Sequence, residues 1–180
     1  MTLDQFRLDA SGMSSAFFLT SGMHRVLADH VDQLEGFSKL HSTNCRICMF
    51  TDSADPLQAM IIVQRRGMDS LPRRLVNKPK LFMPLRGNLV LVRVGDDGDV
   101  VSRELLQPGR DLLTCVAPAQ VYVDLPLDEM TTHLEITLGP HDRVADRNFP
   151  RFTWDRGSES RAAWREQQVA LATQPGDVAR

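Results

Sequence analysis

The feature that most constrains this chain is a series of short apolar or alternating runs that begins near residue 44. Each run has five to eight residues and ends at Gly, Pro, Asp or Asn. The runs cover residues 46–50, 57–64, 80–85, 88–94, 100–105, 111–117, 120–125 and 131–138. Asp97-Gly98, between two alternating runs, is a strong hairpin signal. Eight short strands at this spacing predict an all-β sandwich or barrel and not alternating βα units.

Helical periodicity flanks this β region on both sides. From Ser21, apolar residues recur at spacings of three and four, and Gly36 is expected to end that helix. The residues that carry this periodicity are Met23, Val26, Leu27, His30, Val31 and Leu34. Residues 160–173 predict a second helix, for which Ser158 or Ser160 is a candidate N-cap. Before the first helix, Phe17, Phe18 and Leu19 indicate either a short strand or an arm that packs on a partner.

These patterns divide the 180 residues into three parts. We expect an N-terminal arm and helix at 1–43, a β-barrel at 44–157, and a C-terminal helix and tail at 158–180. The formal net charge of −2 argues against a chain-wide nucleic-acid or membrane surface. No apolar run reaches the roughly 18 residues of a membrane span, and Met1–Gln5 lacks the start of a signal peptide. Three cysteines do not suggest a disulfide framework, so the expected location is the cytoplasm.

The segment from Gly67 to Gly87 carries the most specific pattern in the sequence. Its spacing resembles the first motif of the cupin superfamily, which is Gly, five residues, His-X-His, four residues, Glu, six residues and Gly. Pro72, Lys78 and Leu85 resemble the version of this motif in WbuC-type cupins. The second cupin motif is weaker: Pro118 is present, but Gln120 replaces a glycine. The resemblance implies a single jelly-roll barrel, a homodimer and a link to surface-polysaccharide pathways.

The same resemblance places the four metal-ligand positions of the family on Arg73, Leu75, Lys80 and Val123. None of these side chains offers a neutral nitrogen or an anionic oxygen to a metal at neutral pH. The pattern therefore predicts no metal and no other cofactor at the cupin site.

Positive charge could replace the metal. Between residues 65 and 86 the chain has seven basic residues and one acid, Asp69, which gives a local balance of +6. If Arg73 and Lys80 point inward as the ligands they replace, they can bind a phosphate or carboxylate, with Arg74 and Lys78 as further candidates. In the alternative interpretation, most of these charges lie on a solvated face, and Arg73 or Lys80 pairs with Glu135.

His133 and Glu135 share one face of the run at 131–138, while Leu134 and Ile136 take the other face. If the pair points inward, His133 could act as a general base that Glu135 orients, with Tyr122 as the matching acid. Metal-independent cupin sugar epimerases use a comparable His and acid. The alternative is a structural hydrogen-bond network.

Cys45 and Cys48 form a C-X-X-C sequence, which can serve as a redox pair or as half of a zinc site. No second such pair exists in the sequence, and residues three apart on a strand point to opposite faces. We therefore expect both to be buried small apolar residues, and we expect Cys115 to lie in the core as well.

Three functions follow from these patterns. The first is a non-catalytic, degenerate cupin that binds a small anionic molecule, such as a sugar or nucleotide sugar. The second is a metal-independent isomerase or epimerase that uses His133, Glu135 and Tyr122. The third is a protein-interaction or regulatory scaffold.

Overall fold

A computed structural model describes residues 3, 6–12, 14–20, 25–68, 70–142, 145–152 and 157–173. Among them are twelve strands: β1 (Phe6–Asp9), β2 (Ser15–Leu19), β3 (Cys45–Cys48), β4 (Leu57–Arg65), β5 (Arg74–Leu75), β6 (Lys80–Arg86), β7 (Leu89–Val94), β8 (Val100–Leu106), β9 (Thr114–Val116), β10 (Val121–Pro126), β11 (Met130–Leu138) and β12 (Arg147–Asn148). The two helices are α1 (Ala28–His41) and α2 (Ser158–Ala172). All eight strands predicted from residue 44 onward are present, and β7 and β8 form the predicted hairpin.

The strands form two main sheets that face each other. One has seven strands in the order β1-β2-β3-β4-β11-β6-β9, and the other has three in the order β10-β7-β8, while β5 and β12 form a separate pair. Apolar side chains of both main sheets meet in one buried cluster, which contains Phe82, Leu89, Leu91, Leu106, Val116 and Tyr122. The fold is thus a cupin-like β-sandwich, and the described strands do not close into a barrel.

Each helix covers the outer face of one main sheet. Val31 and Leu34 of α1 pack with Ile47, Ile61 and Val63 of the large sheet. Val169 and Ala172 of α2 pack with valines of the small sheet. With both outer faces covered by helices, the polar side chains on the inner faces are enclosed between the two sheets. None of the described helices is both long and apolar enough to cross a membrane.

The N-terminal segment agrees with one of the two alternatives for residues 17–19 and differs from expectation at both ends of helix α1. Residues 17–19 belong to β2, which pairs in parallel with β3, so the strand alternative is correct. Helix α1 begins at Ala28, and Leu27 is its N-cap residue. The N–H of Leu27 donates to His30 Nδ1 at 3.1 Å. It continues beyond Gly36, since an exposed glycine costs a helix only about 1 kcal/mol and buried Ser38 follows it. Met23 lies outside the described residues.

The two motif glycines have identifiable structural roles. Both have positive φ angles, 82° at Gly67 and 66° at Gly87, a region that other residues rarely adopt. A Cβ atom at Gly87 would lie only 2.6 Å from the carbonyl oxygen of Met130. The tight turn between β6 and β7 therefore requires glycine.

Candidate functional site

A row of polar side chains lies between the two sheets. On β11, Thr131, His133 and Glu135 are all buried, while partly buried Leu134 packs on the other side against the cluster beneath α1. His133 and Glu135 therefore point inward, which settles the question the sequence left open. Where β11 pairs with β6, the register shifts between Thr132 and His133, because Leu85 is an extra residue on β6. Next to it, Pro84 has no N–H to donate.

Lys80 and Glu135 form a buried ion pair in this interior. Lys80 Nζ lies 2.5 Å from Glu135 Oε2, and both side chains are at most 5% exposed. Burial alone would raise the pKa of Glu135, but the Lys80 ammonium holds that pKa well below its ordinary value. Burial opposes the charge of Lys80 as well, yet Glu135 keeps the pKa of Lys80 above its ordinary value. Both groups are therefore ionised across the neutral range.

Arg73 and Asp124 form a second ion pair beside the first. The guanidinium donates from Nη2 to Asp124 Oδ1, and it also lies over the Tyr122 ring, 5.0 Å from the centroid. Burial would lower the pKa of Arg73, but the Asp124 carboxylate holds it above its ordinary value. Of the two directions that the sequence left open, Arg73 thus takes the inward one. Its partner is Asp124, while Glu135 pairs with Lys80.

Asp124 is a site residue that sequence reasoning missed. The family alignment drew attention to Val123, yet Val123 packs on the outer side of its sheet with residues of α2. Its neighbours Tyr122 and Asp124 take the inward positions on β10, because successive side chains alternate. An acid two residues beyond a predicted site tyrosine was the signal that could have identified Asp124.

His133 and Tyr122 lie beside these ion pairs, and their polar atoms have no hydrogen-bond partner within the described part of the chain. The His133 and Tyr122 side chains are 1% exposed. His133 Nε2 is 3.5 Å from Glu135 Oε1, and neither ring nitrogen has a hydrogen-bond partner among the described residues. The Tyr122 hydroxyl also has none in that part of the chain. Buried polar atoms in native proteins are nearly always hydrogen-bonded to protein, water or ligand. The structure therefore brings the three proposed catalytic residues together, with unused hydrogen-bonding capacity on two of them.

Arg74 and Lys78 lie elsewhere. Arg74 donates to Asp96 at 2.7 Å on the exposed side, and Lys78 Nζ lies 2.6 Å from Asp146. Both were predicted to help bind the ligand, and the structure does not bring either of them to Arg73 and Lys80.

Most of the local positive charge is compensated once the chain folds. Six of the seven basic residues between 65 and 86 form ion pairs with acids from distant parts of the chain. These six are Arg66, Arg73, Arg74, Lys78, Lys80 and Arg86. Asp69 lies outside the described residues. The +6 balance of the segment is therefore no measure of the charge that a ligand would meet.

The interior does not suit a divalent metal ion. Asp124, His133 and Glu135 could each offer one ligand atom, and these atoms lie within 4.8 Å of one another. Both carboxylates are already bound to cations, however, Asp124 to Arg73 and Glu135 to Lys80. A metal ion would have to displace two positive groups and then remain close to them in a medium of low polarity. The donor set is thus chemically unsuited to the metal that cupin folds commonly hold.

The cysteines show no sign of a redox or zinc site. Cys45 donates to the carbonyl of Leu34 beneath α1, while Cys48 packs with Ala16 and Phe50 in a different cluster. Burial raises the pKa of Cys45 to about 12 and that of Cys48 to about 11, so neither forms a thiolate readily. Cys115, expected in the core, is exposed, because β9 lies at the edge of the large sheet and its neighbour Val116 takes the inward position.

Comparison with known proteins supports the fold alone. No family model matches the chain, and no curated protein matches it either. A structural-genomics protein from Shewanella oneidensis is 12% identical, with a TM-score of 0.50, and the match covers 81% of this chain and 96% of that one.

Two further solved structures match at lower TM-scores. CapF, a capsular polysaccharide assembling protein of Staphylococcus aureus, is 14% identical with a TM-score of 0.48 over 59% of this chain. Procruciferin, an 11S globulin of Brassica napus, is 20% identical with a TM-score of 0.41 over 48% of it. The matches span only 31% of CapF and 22% of procruciferin. The structures that this chain resembles include cupin-fold proteins, and the Shewanella match, which covers most of both chains, supports a cupin-type fold.

Proposed function

We propose that this chain is a metal-free, degenerate cupin that binds a small anionic ligand between its two sheets. The observation that carries this proposal is the pair of buried side chains, His133 and Tyr122, whose polar atoms have no hydrogen-bond partners in the described part of the chain. Leaving such atoms unsatisfied costs about 1–3 kcal/mol each. A bound molecule with oxygen atoms would satisfy both groups and recover that free energy.

The cations beside these atoms favour a ligand that carries negative charge. An ammonium has three donors, and Glu135 is the only hydrogen-bond partner of the Lys80 ammonium among the described residues. Arg73 uses Nη2 for Asp124, whereas the contacts of its Nη1 with Ser70 and Leu71 are long, 3.4 and 3.3 Å. Both cations therefore retain donor capacity for a carboxylate or phosphate, while Asp124 and Glu135 hold them in place.

The motif between Gly67 and Gly87 favours one group of cupins, the WbuC type. The residues Pro72, Lys78 and Leu85 resemble the WbuC-type motif, and on that resemblance we propose a WbuC-type cupin with a single jelly-roll arrangement of its strands. The same resemblance suggests a sugar or nucleotide sugar of surface-polysaccharide metabolism as the ligand.

A neighbouring pair of arginines offers a matched test. We expect Arg73→Gln to weaken binding of an acidic probe by roughly tenfold to a hundredfold, the usual cost of losing a charge-assisted hydrogen bond. Arg74→Gln should leave the affinity unchanged, because Arg74 pairs with exposed Asp96. Native mass spectrometry of untagged protein would first identify any co-purified molecule. Calorimetry with acetate, glucuronate, glucose 1-phosphate and UDP-glucose would then measure the affinities.

Because Arg73→Gln leaves Asp124 without its cation, a second variant, Arg73→Gln with Asp124→Asn, removes both charges together. Equal affinity of this variant and the wild type would contradict the proposed role of Arg73. If the protein purifies without a bound molecule and binds none of the four probes, the proposed ligand-binding function is wrong.

A metal-independent isomerase or epimerase is the second candidate, and one observation favours it. His133 and Glu135 of β11 meet Tyr122 of β10 in one enclosed interior, where His133 Nε2 is 3.5 Å from Glu135 Oε1. In this reaction His133 would take the proton from a carbon next to a carbonyl, and Tyr122 would deliver a proton to the opposite face. The substrate is isomerised, so no oxidant is required.

Isotope exchange distinguishes an isomerase from a binding protein. For an isomerase, we expect deuterium from solvent to enter a nucleotide sugar at the carbon that loses its proton, as measured by NMR. His133→Gln should abolish this exchange, and Tyr122→Phe should slow it, while Arg74→Gln should have no effect. Wild-type protein that binds sugars but exchanges no deuterium would be a binding protein and not an enzyme.

A further inference from the structure

Gln64 and Thr131 continue the polar row beyond His133. They are 5% and 1% exposed, respectively. Gln64 Oε1 and Thr131 Oγ1 have no hydrogen-bond partner among the residues that the structure describes. The Gln64 amide nitrogen is held, because it donates to the carbonyl oxygen of Asp124 at 3.1 Å. Like His133 and Tyr122, these two residues are therefore buried and have polar atoms without a hydrogen-bond partner in the described part of the chain.

The sheet register places these groups in one line. Gln64 of β4 is directly opposite Thr131 of β11, so their Cβ atoms lie roughly 5 Å apart on the same face. Thr131, His133 and Glu135 are alternate residues of one strand and share that face. The row from Thr131 to Glu135 is therefore roughly 13 Å long, from the strand rise per residue. A one-atom or two-atom anion could contact only part of such a row.

The atoms along the row match hydroxyl groups. Gln64 Oε1 only accepts hydrogen bonds, Thr131 Oγ1 can donate or accept, and a neutral histidine offers one donor and one acceptor. A hydroxyl group both donates and accepts, so a molecule with several hydroxyls can satisfy each of these atoms. An apolar ligand could satisfy none of them.

The charges in the interior limit the ligand to one negative group. Arg73 and Lys80 are balanced by Asp124 and Glu135, so these four groups sum to zero. A monoanion adds one uncompensated charge to this enclosed space, whereas a phosphate monoester adds nearly two. Since uncompensated charge in a protein interior is costly, a carboxylate suits this interior better than a phosphate.

We propose that the ligand is a monosaccharide-sized polyol with a single carboxylate, a sugar acid, bound with its acid group towards Lys80 and its hydroxyls along His133, Thr131 and Gln64. This inference rests on the proposed ligand-binding function and specifies the chemical class of the ligand. It also assigns Gln64 and Thr131 as ligand-contacting residues at the end of the row away from Glu135.

The test compares four probes, glucuronate, glucose, acetate and glucose 1-phosphate, by calorimetry at one pH and ionic strength. We expect glucuronate to bind at least tenfold more tightly than glucose, which lacks the charge, and than acetate, which lacks the hydroxyls. Thr131→Val should weaken glucuronate binding by about threefold to tenfold, the usual cost of one hydrogen bond, and leave acetate binding unchanged. Thr132→Val is the matched control, because Thr132 donates to Glu35 instead.

The outcomes separate this inference from the function on which it rests. If acetate binds as tightly as glucuronate and binding still depends on Arg73, the ligand-binding function stands but the sugar-acid inference is wrong. If Thr131→Val and Thr132→Val weaken glucuronate binding equally, the assignment of Thr131 is wrong. If glucose 1-phosphate binds more tightly than glucuronate, the single-charge argument is overturned. If no probe binds to the folded wild-type protein, both proposals fail.

Discussion

Lys80→Met is expected to destabilise the protein by about 3–5 kcal/mol, the cost of breaking a buried ion pair by removing one partner. The substitution leaves the Glu135 carboxylate between the sheets without the ammonium that lies 2.5 Å away in the wild type. Methionine fills much of the lysine volume, so the loss reports the unpaired charge and not a cavity. Urea unfolding of ligand-free protein at pH 7 measures the change.

Two further variants make this prediction specific. Lys80→Met combined with Glu135→Gln removes both charges, and we expect it to regain most of the lost stability, because replacing a whole buried pair costs little. Arg66→Met breaks an exposed pair whose side chains are 43% and 52% accessible, and it should cost less than about 1 kcal/mol. If Lys80→Met costs no more than Arg66→Met, the Lys80–Glu135 pair does not behave as a buried one.

The sequence offered the inward direction of Arg73 and Lys80 as one of two alternatives, and it offered Glu135 as a partner for either of them. The structure pairs Lys80 with Glu135, whereas the partner of Arg73, Asp124, was not foreseen. The motif spacing places both residues at positions that face the interior of a cupin, and the structure has them there. Asp124 and Glu135 lie 51 and 55 residues away from Arg73 and Lys80. Which acid meets which base depends on how the two sheets stack. A local charge count therefore describes the segment and not the folded site.

The difference between local patterns and contacts that depend on the fold also explains which strands were predicted and which were not. The eight strands after residue 44 were predictable because each has an apolar or alternating run bounded by turn residues. Strand β1 was not predicted, and it pairs with the nearby β2. The two-residue strands β5 and β12 are too short to show a period, and they form by pairing with each other across a long stretch of the chain. Gln64 and Thr131 are ordinary residues in their own runs, and the register between β4 and β11 is what brings them together.

Two positions that resemble cupin metal-ligand positions carry paired charges in this structure. A cupin metal supplies positive charge at the centre of the fold, and here Arg73 and Lys80 occupy two of the positions where the family has ligands. Unlike a metal ion, each of these cations has an acid of its own, Asp124 or Glu135, so the interior remains neutral without a ligand. If the proposed ligand binds there, these donors are already held in place by Asp124 and Glu135 before it arrives.

The second large effect is a dependence of stability on pH that belongs to the Lys80–Glu135 pair. The pKa of Glu135 is held well below its ordinary value in the folded protein, so this carboxylate contributes stability above the unfolded pKa of about 4.3. That contribution is lost as the pH falls through the folded pKa. The pKa of Lys80 is raised, so its contribution is complete below about 10.4 and is lost as the pH rises further. The pair therefore stabilises the fold most between roughly pH 5 and 10.

Other acids whose pKa values are lowered, such as Asp146 and Glu166, also titrate below pH 5, so the wild-type curve alone cannot isolate the pair. The informative quantity is the free energy of unfolding of the wild type minus that of the variant with both Lys80→Met and Glu135→Gln. We expect this difference to fall by about 1.4 kcal/mol for every unit by which folding lowers the pKa of Glu135, as the pH decreases from 6 to 2. If the free energies of unfolding of the two proteins change in parallel over that range, Glu135 titrates in the folded state as it does in the unfolded chain. The charge-compensated interior described above would then be wrong.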